Sequence, residues 1–170
     1  MLIIFAGLPG VGKSTIARKL AEAMKAVYIR VDTIEESMRD CDLDDEQIGG
    51  TGYVVAYRIA AENLELGLDV VADTVNPVES TRDMWRRVAF LAECPFLEVE
   101  IVCLNRSEHK RRVESRAATL EGHHLPSWIQ VESREYDVWT TSPLRIDSSQ
   151  VQPPEAVALI LEQIKQLTSN

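Results

Sequence analysis

Gly7-Leu8-Pro9-Gly10-Val11-Gly12-Lys13-Ser14 matches the pattern G-x-x-x-x-G-K-[ST] without a mismatch. Before it, Leu2-Ile3-Ile4-Phe5-Ala6 is an apolar run of the kind expected in a strand buried on both faces. After it, Ile16, Ala17, Leu20, Ala21 and Met24 fall on one helical stripe, leaving Arg18, Lys19, Glu22 and Lys25 for solvent. A strand, a glycine-rich turn and a helix in that order curl backbone N–H groups around a phosphate and aim the positive end of the helix at it. The residues expected to hold a nucleotide are Gly7, Pro9, Gly10, Val11, Gly12, Lys13, Ser14 and Thr15. Lys13 is expected to reach the β- and γ-phosphates, and Ser14 to offer its hydroxyl to Mg²⁺.

Outward from this loop the alternation continues. Residues 27–31, 68–72, 96–104 and 144–146 read as four further strands. Tyr53, Val54, Tyr57, Ala60, Ala61 and Leu64 form a helical stripe ended by Gly67, where a left-handed C-cap is expected. Asn76-Pro77-Val78-Glu79 predicts a helix with Asn76 as N-cap and a stripe of Met84, Trp85, Val88 and Ala92. Residues 107 to about 118 read as a charged helix and 122–126 as a loop. Ser127 and Gln130 form a capping box for a helix reaching about Trp139. The last stripe, Val157, Ile160, Leu161, Ile164 and Leu167, follows Pro153-Pro154. Strands separated by helices predict an α/β, three-layer fold with a parallel sheet and helices on both faces, as one domain over residues 1–170.

Composition sets bounds. At 170 residues, 45% apolar and 26% charged, the chain has the make-up of one globular domain. The net charge of −9 counts against nucleic acid as the main partner. Met1 leads into the first strand without a basic n-region or cleavage site, and no run reaches membrane-spanning length. Cys41, Cys94 and Cys103 show neither C-x-x-C spacing nor an even count. A cytoplasmic protein is expected.

A phosphate-binding loop alone does not separate kinases from switches and ATPases, so other residues must decide. Asp32 ends the second strand at the carboxyl edge of the sheet, where it can take the proton of a substrate hydroxyl or simply N-cap the next helix. Asp73, closing the third strand, can complete the Mg²⁺ shell with Ser14, contact substrate, or serve as a turn residue. Arg112 and Arg116 lie four apart on one helical face, fitted to a lid that stabilises phosphoryl charge and excludes water, or to surface bridges with Glu108 and Glu114. His109, His123 and His124 lack the spacing of a metal site and read as polar residues of a mobile loop. Trp85, Trp128 and Trp139 read as core and hinge packing.

Together these residues resemble the small P-loop kinases of the adenylate-kinase-like group, especially polynucleotide 5′-kinase domains, zeta toxins and chloramphenicol phosphotransferase. Val71 to Glu79 look like the third-strand segment of polynucleotide kinase domains, and Arg112, Arg116 and Arg134-Glu135-Tyr136 like their lid and post-lid elements. The resemblance implies a five-stranded sheet of order 2-3-1-4-5, a helical lid at about residues 105–126, and ATP with Mg²⁺. It also implies Asp32 as the catalytic aspartate and Arg112 and Arg116 as lid arginines, which with Lys13 make up the expected catalytic groups. Polynucleotide kinases carry an arginine three residues after the aspartate, where Glu35 stands here. That departure, with the acidic net charge, tells against a polynucleotide acceptor and in favour of a small hydroxylated molecule. Two other readings stay open: an ATPase or nucleotide switch without an acceptor, and a nucleotide-binding regulatory module.

Overall fold

The computed structural model describes residues 1–119 and 125–169. Its centre is β1 (Leu2–Ala6), every residue of which is buried. β1 runs parallel to β3 (Val70–Asp73) on one side and β4 (Phe96–Val102) on the other. β2 (Val27–Arg30) adds to β3 and β5 (Leu144–Asp147) to β4, giving an all-parallel sheet of order β2-β3-β1-β4-β5. The expected fold and strand order are those observed.

Alternation along β1 feeds two separate cores. Ile3 and Phe5 face one side with Val99 and Ile101, packing against Ile16 and Leu20 of α1 (Lys13–Met24) and Ile160 of α8 (Pro153–Thr168). Leu2 and Ile4 face the other side with Val70 and Ala72. There they meet Tyr57, Ala60 and Leu64 of α4 (Thr51–Glu65), and Trp85 and Val88 of α5 (Glu79–Leu91). A strand apolar on both faces is what a sheet covered by helices on both sides demands. Gly67 takes a left-handed φ of +79° just past α4, as expected of a C′ glycine.

Several local expectations are corrected. The second strand stops at Arg30, and Val31 already belongs to α2 (Val31–Arg39), so Asp32 sits in the first turn of that helix and does not cap it. A short α3 (Asp45–Ile48), closed by a capping box between Asp44 and Gln47, was not foreseen. Asn76 does not cap α5. It adopts φ +45° and donates through Nδ2 to the Phe5 carbonyl at 3.0 Å, while Asp137 accepts the Glu79 N–H at 2.8 Å from far along the chain. Met84 is exposed, and Arg82 fills the buried face instead.

Arg82 is fully buried and holds three segments together. Its guanidinium donates to the carbonyls of Asn76 at 3.0 Å and Asp137 at 2.9 Å and to Glu79 at 3.1 Å. It stacks over the Trp139 ring at 4.1 Å and the Tyr136 ring at 5.0 Å. Because residues 136–139 are committed to this stack, α7 (Trp128–Glu132) ends well short of Trp139. α6 (Arg106–Thr119) precedes it. Part of the loop expected at 122–126, with His123 and His124, lies outside the described residues.

Gly7 makes the turn from β1 into the loop at φ +135°, with its N–H bonded to the Val75 carbonyl at 3.0 Å. A Cβ there would collide with the Ile101 carbonyl oxygen, a backbone atom that cannot swing aside. Gly7→Ala should lower unfolding free energy by about 3 kcal/mol, read from denaturant midpoints.

Candidate functional site

The carboxyl ends of β1, β2 and β3 open into a cleft of about 930 Å³. Pro9, Gly10, Gly12, Lys13, Ser14 and Thr15 form its floor; Arg30, Asp32, Glu35, Arg39, Tyr53 and Arg134 line one end. Arg112 and Arg116 line it from α6, while Ser148, Val151, Gln152 and Pro153 contribute the loop between β5 and α8. Ligands of open α/β sheets gather at this edge, because helix N-termini and loops converge there.

Lys13 is 7% exposed, and its ammonium donates to the Leu8 carbonyl at 3.1 Å. Burial pushes its pKa below the usual lysine value; Asp73 and then Asp32 oppose that shift, while Arg116 and Arg30 add to it. The lysine therefore sits among the other candidate groups, within reach of their fields. Asp73 lies behind the cleft wall, 2% exposed, with Oδ2 accepting the Tyr28 hydroxyl at 2.7 Å. Burial, and then the Asp73 charge, drive the Tyr28 hydroxyl well above its ordinary value, so it stays a donor. A hard cation such as Mg²⁺ wants oxygen ligands, which Ser14 in the cleft and Asp73 behind its wall both carry.

Asp32 is half exposed at the cleft, and its Oδ2 accepts from Arg30 at 2.9 Å. Arg30 also faces Asp73, with Nε 3.8 Å from Oδ2, so one guanidinium spans both carboxylates. Sequence reasoning missed Arg30. Its signal was its place at the last position of an edge-reaching strand, directly before the candidate base.

Glu35 faces the cleft from the next turn of α2, its side chain against Gly52. Burial first, then the Asp32 charge, push its carboxyl up, opposed by Arg39 and Arg134. Arg39 is already paired with Asp45 at 2.9 Å.

On α6, Arg112 is held by three hydrogen bonds. Its Nε donates to Glu108 at 2.8 Å and its terminal nitrogens to the Ser148 hydroxyl and carbonyl at 2.9 and 3.1 Å. Arg111 and Arg112 hydrogen bonds hold Glu108 at a pKa of about 2. Of the two surface bridges foreseen as the bland alternative, the one to Glu108 is made, while Glu114 pairs with Lys110 at 3.8 Å. His109 is corrected: it sits inside α6, 6% exposed, and bonds the Pro9 carbonyl. Its signal was Val113, one turn on; both residues press on Gly10. Trp85 is core, Trp139 stacks on Arg82, and Trp128 packs on His109 outside the cleft wall.

A parallel 2-3-1-4-5 sheet with its G-x-x-x-x-G-K-[ST] loop between β1 and α1 defines a P-loop NTPase of kinase-like fold. The chain belongs to the AAA domain family AAA_33, whose model matches residues 2–130. Among curated proteins it is similar to a "Probable adenylyl-sulfate kinase" of Aeropyrum pernix, 27% identical over 113 residues, spanning 59% of this chain and 58% of that one. Among solved structures, one from Chloroflexus aurantiacus superposes with a TM-score of 0.78 at 22% identity, covering 98% of this chain and 97% of the other. The Mycobacterium tuberculosis APS kinase CysC, solved with AMPPNP and APS, gives 0.69 at 18% identity over 96% of each chain. Kti12 of Chaetomium thermophilum, solved with ADP-AlF3, gives 0.72 at 19% identity over 98% of each. No helix among the described residues is long and apolar enough to cross a membrane.

Proposed function

We propose that this protein is an ATP-dependent kinase that transfers the γ-phosphoryl group to a hydroxyl of a small molecule. The observation that carries this reading is that Lys13, Asp32, Arg112 and Arg116 all line one cleft at the carboxyl edge of the sheet. The kinase name of the Aeropyrum pernix relative supports it.

In this reading the phosphate chain lies over Gly10 to Thr15, and Ser148 to Pro153 border the adenine. The acceptor enters on the side of Glu35, Arg39, Tyr53 and Arg134. Asp32 accepts the proton of the acceptor hydroxyl as its oxygen bonds to the γ-phosphorus and the bond from that phosphorus to the leaving ADP oxygen breaks. Lys13, Arg112 and Arg116 hold charge spread over the equatorial oxygens. Ser14 with Asp73 would hold Mg²⁺, which when bound neutralises the β- and γ-phosphates. α6 forms the lid of this single domain, keeping water from the γ-phosphate; the stretch beyond it in the expected 105–126 lid lies in part outside the described residues. A carboxylate at Glu35 and the net charge of −9 disfavour a polynucleotide end as acceptor.

The test is a screen of hydroxylated metabolites with ATP and Mg²⁺, read by mass spectrometry. One class of acceptor should gain the mass of a single phosphate in step with ADP formation. Steady ATP hydrolysis with no phosphorylated product would favour an ATPase or switch, and bound ATP without turnover a regulatory module.

A further inference from the structure

Two carbonyl oxygens of the phosphate-binding loop are gripped by side chains from distant parts of the chain. His109 Nε2 donates to the Pro9 carbonyl at 2.8 Å, from a buried ring packed edge-on against Trp128 at 5.1 Å. The Ser148 hydroxyl donates to the Val11 carbonyl at 2.6 Å and accepts from Arg112 at 2.9 Å. Each of these peptide units is planar and trans, so its C=O and the N–H that follows point to opposite sides. Holding the Pro9 oxygen against α6 therefore turns the Gly10 N–H away from α6. Holding the Val11 oxygen against Ser148 turns the Gly12 N–H away from Ser148.

Both glycines line the cleft, and neither N–H makes a hydrogen bond among the described residues. Gly10 and Gly12 stand at φ +85° and +96°, where glycine permits many backbone orientations and imposes none. Something outside the loop must choose the orientation that presents donors to an anion. Val113 and His109 close the choice at Gly10, since both sit against the position where a Cβ would project.

We propose that His109 and Ser148 are positioning residues that lock the 9–10 and 11–12 peptide units with their N–H groups toward the phosphate chain, tying nucleotide affinity to the seating of α6. The proposal rests on the nucleotide half of the function above and is independent of the acceptor. Arg112 takes part through Ser148. Because the coupling is reciprocal, a bound polyphosphate steadies α6 as much as α6 steadies the loop.

The test measures binding of ATP·Mg²⁺ and of inorganic tripolyphosphate by calorimetry, alongside thermal melting, for the parent protein, His109→Leu, His109→Gln and Ser148→Ala. Loss of one ordered donor set should raise Kd about tenfold for both probes in His109→Leu and in Ser148→Ala. Glutamine carries an N–H at similar reach, so His109→Gln should stay within about threefold of the parent, a rescue that loss of packing alone would not give. The proposal is overturned if folded His109→Leu binds like the parent, or if His109→Gln is as weak as His109→Leu. Should His109→Leu not fold, parent-like affinity in Ser148→Ala overturns it equally. A parent protein that binds neither probe would end the nucleotide reading and this proposal together, before any variant is compared.

Discussion

The Asp32→Asn protein should bind ATP·Mg²⁺ within a few-fold of the parent yet transfer phosphate about 10²- to 10⁴-fold more slowly. Asn is nearly the same size and can still meet Arg30, so the cleft keeps its shape. What disappears is the acceptor of a proton. Asp32 suits that role by position: the first turn of α2 holds it at the cleft, and Arg30 occupies Oδ2 at 2.9 Å, leaving Oδ1 for an incoming hydroxyl. The split between binding and turnover separates a base from a structural carboxylate. Equal transfer by the mutant and the parent would remove Asp32 from the mechanism, and loss of ATP binding would recast it as part of the nucleotide site.

Lys13→Ala carries the second large effect. Its ammonium is nearly buried and, among the described residues, makes one hydrogen bond, to the Leu8 carbonyl. A buried cation with so little hydrogen bonding is costly unless an anion arrives to meet it. Two charge-assisted contacts to phosphate, each contributing about 1.5–3 kcal/mol, set the expected rise in Kd for ATP·Mg²⁺ at about 10²-fold or more. Stability should hold or increase, because the mutation removes a desolvated charge. A melting temperature that stays level while nucleotide binding vanishes is the expected signature. Unchanged affinity in a folded mutant would mean that the loop does not bind phosphate through this lysine.

Much of the fold was legible because its signals are local. The β1 run, the glycine pattern and the α1 stripe are contiguous, and each period matches one element. The strand order was not local information; it came with the family resemblance. Two of the errors fall where a distant partner outbid a neighbour. Asn76 ahead of Pro77 looked like an N-cap, but Phe5 claims its side chain and Asp137 serves the α5 terminus. Arg82 was passed over on a buried stripe because its stacking partners, Tyr136 and Trp139, lie more than fifty residues on. In the site, Lys13, Asp32, Arg112 and Arg116 do share one cleft. Their partners were invisible beforehand: Arg30 bridging two carboxylates, Ser148 holding Arg112, and His109 on the loop carbonyl each depend on how the elements meet.

The grip of Arg82 also bears on how the chain is made. During synthesis from the N-terminus, β1, β2 and β3 emerge long before residues 136–139 do. Until then the guanidinium lacks both aromatic plates and the Asp137 carbonyl that make its burial tolerable, and α5 lacks the carboxylate that caps it. The nascent protein therefore cannot complete the packing around Arg82 until the ribosome has released the stretch beyond α7.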